Sequence, residues 1–150
     1  MKIASLLNLQ RTQARLSESS KRSALARLAE VIAQSDSTLK ADEILRLFLA
    51  REKLGSTGIG YGIAIPHCRI SNTEIAIGAL ITLTEPVEFD SIDGEPVDIL
   101  FAMLVPEAAH TEHLQHLAAL ANALSREQFR EQLRNADTNA TLFEIATQYE

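Results

Sequence analysis

Apolar positions along the chain follow a helical period at both ends and a strand period in the middle. Leu25, Leu28, Ala29 and Ile32 fall on one face at helical spacing, with Arg22, Arg27 and Glu30 elsewhere. Ser19 or Ser20 is placed to cap this first helix, which should end near residues 34–37. A second helix is expected over 41–53, with Ile44, Leu45, Phe48 and Leu49 as its buried stripe. Gly55 lies just beyond it, where a left-handed residue commonly ends a helix. Residues 75–84 (IAIGALITLT) are β-branched and apolar and read as a strand that Pro86 ends, with 87–89 as an edge strand. Asp93-Gly94 is a turn signal. Residues 97–105 (VDILFAMLV) are almost continuously apolar, which suits a strand covered on both faces. Helical spacing then returns, with Leu114, Leu117, Ala121 and Leu124 on one stripe. Ser125 and Gln128 have the spacing of a capping box for a helix that buries Phe129 and Leu133. Asp137 or Thr138 would cap a last helix with Leu142, Ile145 and Ala146 inside. Residues 1–18 carry little pattern and are expected to form an arm or a short helix. Phe48, Phe89, Phe101, Phe129 and Phe143 are core candidates, and Asp98 is a strand-end residue or an ion-pair partner. Two helices, several strands and three helices imply an α/β (α+β) domain over 1–150, its sheet covered by helices on both sides.

Composition narrows the class. The chain has 150 residues, 46% of them hydrophobic and 23% charged, which is ordinary for a folded domain. Its formal net charge is -6, so a generic nucleic-acid coat or a binder of anionic membranes is disfavoured. Cys68 is the single cysteine, so no internal disulfide can form. The opening MKIASLLNLQ is too short and interrupted for a signal peptide. No apolar run approaches the roughly 20 residues that cross a bilayer. A cytoplasmic protein without membrane insertion is expected.

The candidate chemistry lies between Arg51 and Arg69. Gly55, Gly58, Gly60 and Gly62 stand within eight residues and allow backbone N–H groups to approach an anion closely. Ser56 and Thr57 add hydroxyls, and Arg51 adds a permanent cation that matches phosphate geometry. His67 is the nucleophile of the stretch, with a reference pKa of about 6.5. An anion cradle beside an imidazole suits transfer of phosphate to nitrogen, and the same glycines also suit a loop that serves only as a turn. His110, His113 and His116 recur every third residue, which turns about 300 degrees around a helix from first to last. No cysteine or carboxylate cluster completes a ligand set, so no metal is expected, and His110 and His116 are expected to be exposed. Cys68 is expected to be a tolerated small residue rather than a redox group.

The segment R-E-K-L-G-S-T-G-I-G-Y-G-I-A-I-P-H at 51–67 resembles the active-site signature of the fructose/mannitol-type IIA domains of the bacterial phosphotransferase system. Within that family the likeness is greatest to the nitrogen-regulatory branch. It extends through F-D-S-I-D-G-E-P-V-D-I-L-F-A-M-L-V-P at 89–106 and E-H-L-Q-H-L-A-A-L at 112–120, and covers about residues 19–150. The resemblance implies a mixed sheet flanked by helices. It implies that His67 is phosphorylated, that Arg51 is the family's arginine 16 residues earlier, and that His113 is its second histidine. Ser56 and Thr57 match the family's polar pair and would bind phosphate. The implied function is a protein-histidine phosphotransferase: a carrier that takes a phosphoryl group from a histidine-containing phosphocarrier protein and regulates targets such as potassium transport or sensor proteins. No cofactor is implied. A sugar-specific IIA subunit that passes phosphate to a IIB partner is the alternative within the family, and an interaction module that transfers nothing is the alternative outside it. Two departures stand out: Tyr61 replaces a small polar residue, and Cys68 replaces a glycine, which restricts φ. A partner docking over His67 is expected to touch Ile59, Tyr61 and Ile63.

Overall fold

The structure is a computed structural model that describes residues 2–109 and 112–149. A six-stranded mixed sheet is built on two long neighbours, β5 (Ile77–Val87) and β6 (Val97–Pro106), which pair antiparallel. β1 (Thr12–Leu16) lies parallel along the outer edge of β5. On its other side β6 carries β3 (Ile63–Ala64) and β4 (His67–Ile70), both parallel to it, and β2 (Gly58–Gly60) pairs antiparallel with β3. Register is the same before and after the break at Pro66, with Ile63 opposite Ile99 and His67 opposite Met103. Pro66 has no N–H to offer β6, but its carbonyl accepts from Met103 N at 2.8 Å and keeps the two short strands in line. That line delivers His67 to the start of β4.

Helices cover both faces. Leu100, Ala102 and Leu104 of β6, with Ala79, Ile81 and Leu83 of β5, meet α1 (Lys21–Ser35) and α2 (Ala41–Glu52). Ile99, Phe101, Met103 and Val105, with Leu80, meet α3 (Glu112–Leu124), α4 (Glu127–Asn135) and α5 (Asn139–Gln148). Both faces of β6 are therefore apolar, which is the physical reason for its unbroken hydrophobic run. Leu25, Leu28, Ile32, Ile44 and Phe48 are fully buried, each contributing about 1.5–3 kcal/mol. Ser20 caps α1 in a reciprocal capping box with Ser23, and Thr138 caps α5 by accepting from Thr141 N. No helix among the described residues is long and apolar enough to cross a membrane.

Several expectations change. The weakly patterned N-terminus forms the short helical turns expected of it, at Ile3–Ser5 and Leu9–Arg11, but it also contributes the strand β1. Only Thr12 of it is fully buried, because an edge strand with one paired side shows no apolar alternation. β5 does not stop at Pro86 but runs through it to Val87, across a register shift after Thr82 that leaves residues 84–86 exposed and free of the ladder. On α3 the expected stripe holds toward the C-terminal end, where Leu124 is buried and Leu117 and Ala121 pack against the core, but at its start His113 is buried while Leu114 is 68% exposed. Ser125 does not cap α4. Its N–H still bonds Ala121 O within the last turn of α3, and its hydroxyl turns back to Asn122 O, so Arg126 takes the N-cap without a side-chain bond. Phe143 and Ile145 are only partly buried, as are Leu45 and Leu49 of the expected α2 stripe.

Candidate active site

The loop after α2 is built on a buried carboxylate. Gly55, three residues past the end of α2, takes φ +144°, and the next two residues turn inward. Ser56 Oγ donates to Phe89 O at 2.7 Å and accepts from Gly58 N at 3.0 Å. Thr57 donates both its N–H and its hydroxyl to the Glu52 carboxylate, the N–H at 3.1 Å. The Glu52 side chain is 5% exposed and is paired with Lys21 Nζ at 2.9 Å, across from the start of α1. Lys21 also donates to Phe89 O at 3.3 Å and lies 4.7 Å from the centre of the Phe89 ring. At Gly58 a Cβ would fall 2.2 Å from Ser91 Oγ, so a side chain there would push the loop off the segment before β6.

Tyr61 takes φ +62° at the tip between β2 and β3 and is fixed from three sides. Its N–H donates to Asp93 Oδ2 at 3.0 Å, its carbonyl accepts from Arg134 Nη2 at 2.6 Å, and Arg130 lies 4.4 Å over its ring. Arg134 in turn forks onto Asp98, at 2.9 Å in the ion pair, so Asp98 is an ion-pair partner. This cluster sits at the far end of β6 from His67: Asp98 N bonds Gly62 O, whereas His67 pairs with Met103. Five residues of strand span about 16 Å. Ile63 is fully buried as well, so Ile59, Tyr61 and Ile63 do not form the expected rim around His67.

His67 Nδ1 is 2.7 Å from Ile65 O. A carbonyl only accepts, so Nδ1 carries the proton and Nε2 carries the lone pair. The imidazolium is held below its ordinary pKa, first by burial and then by the Arg51 charge, against the bond to Ile65 and the charge of Glu52, which both favour it. The neutral, nucleophilic ring is thus the form present near pH 7.

A groove of about 750 Å³ brings His67, Arg51 and His113 together. Arg51 reaches it from the last turn of α2, with Nη1 donating to Gly55 O at 2.9 Å. His113 reaches it from the buried face of α3. Leu47, Leu54, Leu114 and Leu117 make its apolar wall, with Leu54 84% and Leu114 68% exposed. Among the described residues, the lining does not include Ser56 or Thr57. A second cleft of about 800 Å³ shares His113 with this groove but contains neither His67 nor Arg51. The chemistry therefore belongs to the first. His116 is half-buried rather than exposed, with its ring edge-on to that of His113 at 6.3 Å. His110 lies outside the described residues. No group of three His, Cys, Asp or Glu among the described residues could hold a metal ion.

Cys68 follows His67 without strain, since it is not among the described residues with positive φ. Its thiol is pushed up to about 12, chiefly by burial and then by the Glu43 charge, so it stays protonated and unreactive. Arg69 lines the groove but gives Nη1 to the carbonyls of Ala109 at 2.5 Å and Glu107 at 3.3 Å. Sequence reasoning missed Glu52 and Lys21. The pair is 31 positions apart and leaves no local signal, although Glu52 adjoins Arg51 in the motif.

The family described as "Phosphoenolpyruvate-dependent sugar phosphotransferase system, EIIA 2" matches residues 5–149. A nitrogen regulatory protein of Pseudomonas aeruginosa is 48% identical over 126 residues, covering 84% of this chain and 82% of that protein. A nitrogen regulatory protein of Escherichia coli is 38% identical over 151 residues, covering 100% of this chain and 92% of that protein. Among solved structures, the nitrogen regulatory protein IIA-Ntr of Neisseria meningitidis superposes with a TM-score of 0.88 at 37% identity, over 97% of this chain and 99% of that one. The mannitol IIA of Escherichia coli superposes with a TM-score of 0.77 over 93% of this chain and 98% of that one. At 20% identity this second likeness bears on the fold alone.

Proposed function

The chain belongs to the EIIA 2 family of the phosphoenolpyruvate-dependent sugar phosphotransferase system, and on that premise we propose that it is a phosphohistidine carrier whose phosphorylation state regulates other proteins. The acceptor is Nε2 of His67, and the donor is a histidine-containing phosphocarrier protein. The observation that carries this is the bond from His67 Nδ1 to Ile65 O, which leaves the Nε2 lone pair available in a groove shared with Arg51 and His113. In the reaction a bond forms from Nε2 to phosphorus as the donor's nitrogen–phosphorus bond breaks in line. The donor imidazole leaves with the electron pair of that bond. Nitrogen-to-nitrogen transfer is close to balanced, so catalysis reduces to positioning and charge neutralisation. Arg51 and His113 supply the neutralising groups beside the transferred phosphoryl, and neither receives it. Ser56 and Thr57, whose hydroxyls bond Phe89 O and Glu52, hold the loop in shape.

A regulatory role is favoured over sugar uptake by the two relatives named nitrogen regulatory protein, each matched over more than four-fifths of its length. Regulatory targets such as potassium transport or sensor proteins fit that role. The test is incubation with phosphoenolpyruvate, the first enzyme of the system and the carrier, read by mass spectrometry. A gain of one acid-labile, base-stable phosphoryl group is expected on the wild type. None is expected on His67→Ala, with its circular dichroism unchanged. A folded His67→Ala that labels like the wild type would overturn the assignment.

A further inference from the structure

Behind the nucleophile lies a continuous line of hydrogen bonds that starts at a buried ion pair. Glu52 accepts from Lys21 Nζ and Thr57 N on Oε1 and from the Thr57 hydroxyl on Oε2. Two bonds to one residue fix both the backbone and the side-chain rotamer of Thr57. The Thr57 carbonyl then accepts from Ile65 N at 3.0 Å. The Ile65 carbonyl, at the break between β3 and β4, takes the Nδ1 proton of His67 at 2.7 Å. Which nitrogen of an imidazole carries the proton is set by the bond that the other ring position makes. A shift of Thr57 would move the Ile65 peptide and take the acceptor away from Nδ1. The proton could then reside on Nε2, which has no lone pair for phosphorus in that tautomer.

We propose that Glu52, anchored by Lys21, is a positioning residue that acts through Thr57 and Ile65 to hold His67 in the tautomer with its proton on Nδ1. The inference rests on the phosphocarrier reading for its consequence and on the geometry alone for its tautomer. Burial supports a directed role. A carboxylate that is 5% exposed persists only when its charge and both oxygens are satisfied, and all three partnerships here run to groups that frame this loop.

The test uses the full-length, ¹⁵N-labelled chain and the variants Glu52→Gln, Lys21→Met, Thr57→Val and Thr57→Ser. Long-range ¹H–¹⁵N spectra read the His67 tautomer, and rapid mixing with phosphorylated carrier reads transfer. The wild type is expected to show the Nδ1–H tautomer alone. Glu52→Gln and Thr57→Val are expected to show a mixture, with transfer at saturating donor about ten- to a hundredfold slower, the range known for groups that orient a histidine ligand. KM for the donor should not change, and Thr57→Ser should restore both readouts. Folded variants that lose thermal stability yet keep the wild-type tautomer and rate would reduce the pair to a loop staple and overturn the proposal. A wild type with its proton on Nε2 would also overturn it. If Glu52→Gln does not fold, Lys21→Met and Thr57→Val carry the same comparison. If the wild type accepts no phosphate, the carrier reading falls while the tautomer comparison still decides this one.

Discussion

At the scale of single residues, the charge state of His67 governs what the groove can do. Burial lowers its pKa most, and Arg51 lowers it further, while the Ile65 bond and Glu52 act against them. An NMR titration should therefore place its midpoint below the unperturbed value of about 6.5. Arg51→Ala should raise that midpoint by removing a neighbouring cation. The sign for stability follows from proton binding. The unfolded chain binds this proton more readily than the native one, so acidification from about 6.5 down to the native midpoint erodes stability, and above that window the effect vanishes. The same Arg51→Ala change, or His113→Ala, should slow phosphoryl transfer on the order of 10²–10³-fold while His67 remains the labelled residue. Label found on His113 in the wild type would reverse those roles. Cys68, with a thiol near 12, should resist alkylation at neutral pH until the chain is unfolded, as mass spectrometry after iodoacetamide would read.

At the scale of elements, local chemistry and distant contacts can be separated by substitution. Ser20 accepts from Ser23 N at 3.0 Å, and Ser23 Oγ accepts back from Ser20 N at 3.2 Å. Ser20→Ala should cost about 1 kcal/mol in urea unfolding, with the slope unchanged, because only a helix end is affected. Gly58→Ala should cost about 1–3 kcal/mol, since its new Cβ meets Ser91 and neither backbone can yield freely. The first of these sites was visible as a serine before a periodic run. The second was visible only as a glycine, because its neighbour Ser91 arrives from a loop 33 positions on. α3 makes the same point from the other side. Its leucines announce a helix, but Leu114 faces the groove and His113 turns inward, since packing on the sheet face that carries Met103 and Val105 decides which side of α3 is covered.

At the scale of the molecule, the proposed phosphorylation would change charge where the surface is apolar. A phosphoryl group adds roughly two negative charges to a chain whose net charge is already -6. Leu47, Leu54 and Leu114 frame the groove that would receive it. A partner seated on that wall over a neutral imidazole would have to bury an unpaired dianion once His67 is modified, and that cost exceeds what ordinary contacts return. Targets with an apolar docking face are therefore expected to bind the unphosphorylated chain and to compete with the carrier, which must reach the same imidazole. Targets with a basic patch are expected to prefer the phosphorylated form. Pull-downs with the wild type and with His67→Glu, with the carrier as competitor, check this. Equal binding of both forms alongside the carrier would move the signalling face away from the groove.

The sequence by itself determined the helices α1, α2 and α5, the capping residues of α1 and α5, and the fully covered strand β6, and it singled out His67 and Arg51 as candidate site residues. Each of these is a local property: a motif, a period or a capping residue within a few positions. Tertiary structure decided the rest. It paired the unpatterned residues Thr12–Leu16 with β5, and it turned His113 inward at the start of α3. It turned Thr57 toward Glu52 and brought Lys21 to the same carboxylate. It also carried Tyr61 to the far end of β6 and put Leu54 and Leu114 beside His67 instead. These outcomes depend on which faces two helices and a sheet edge bury against each other. A carboxylate, a lysine and a threonine become one unit only after that packing draws the Glu52 carboxylate out of water, where low polarity makes its bonds to Lys21 and Thr57 necessary.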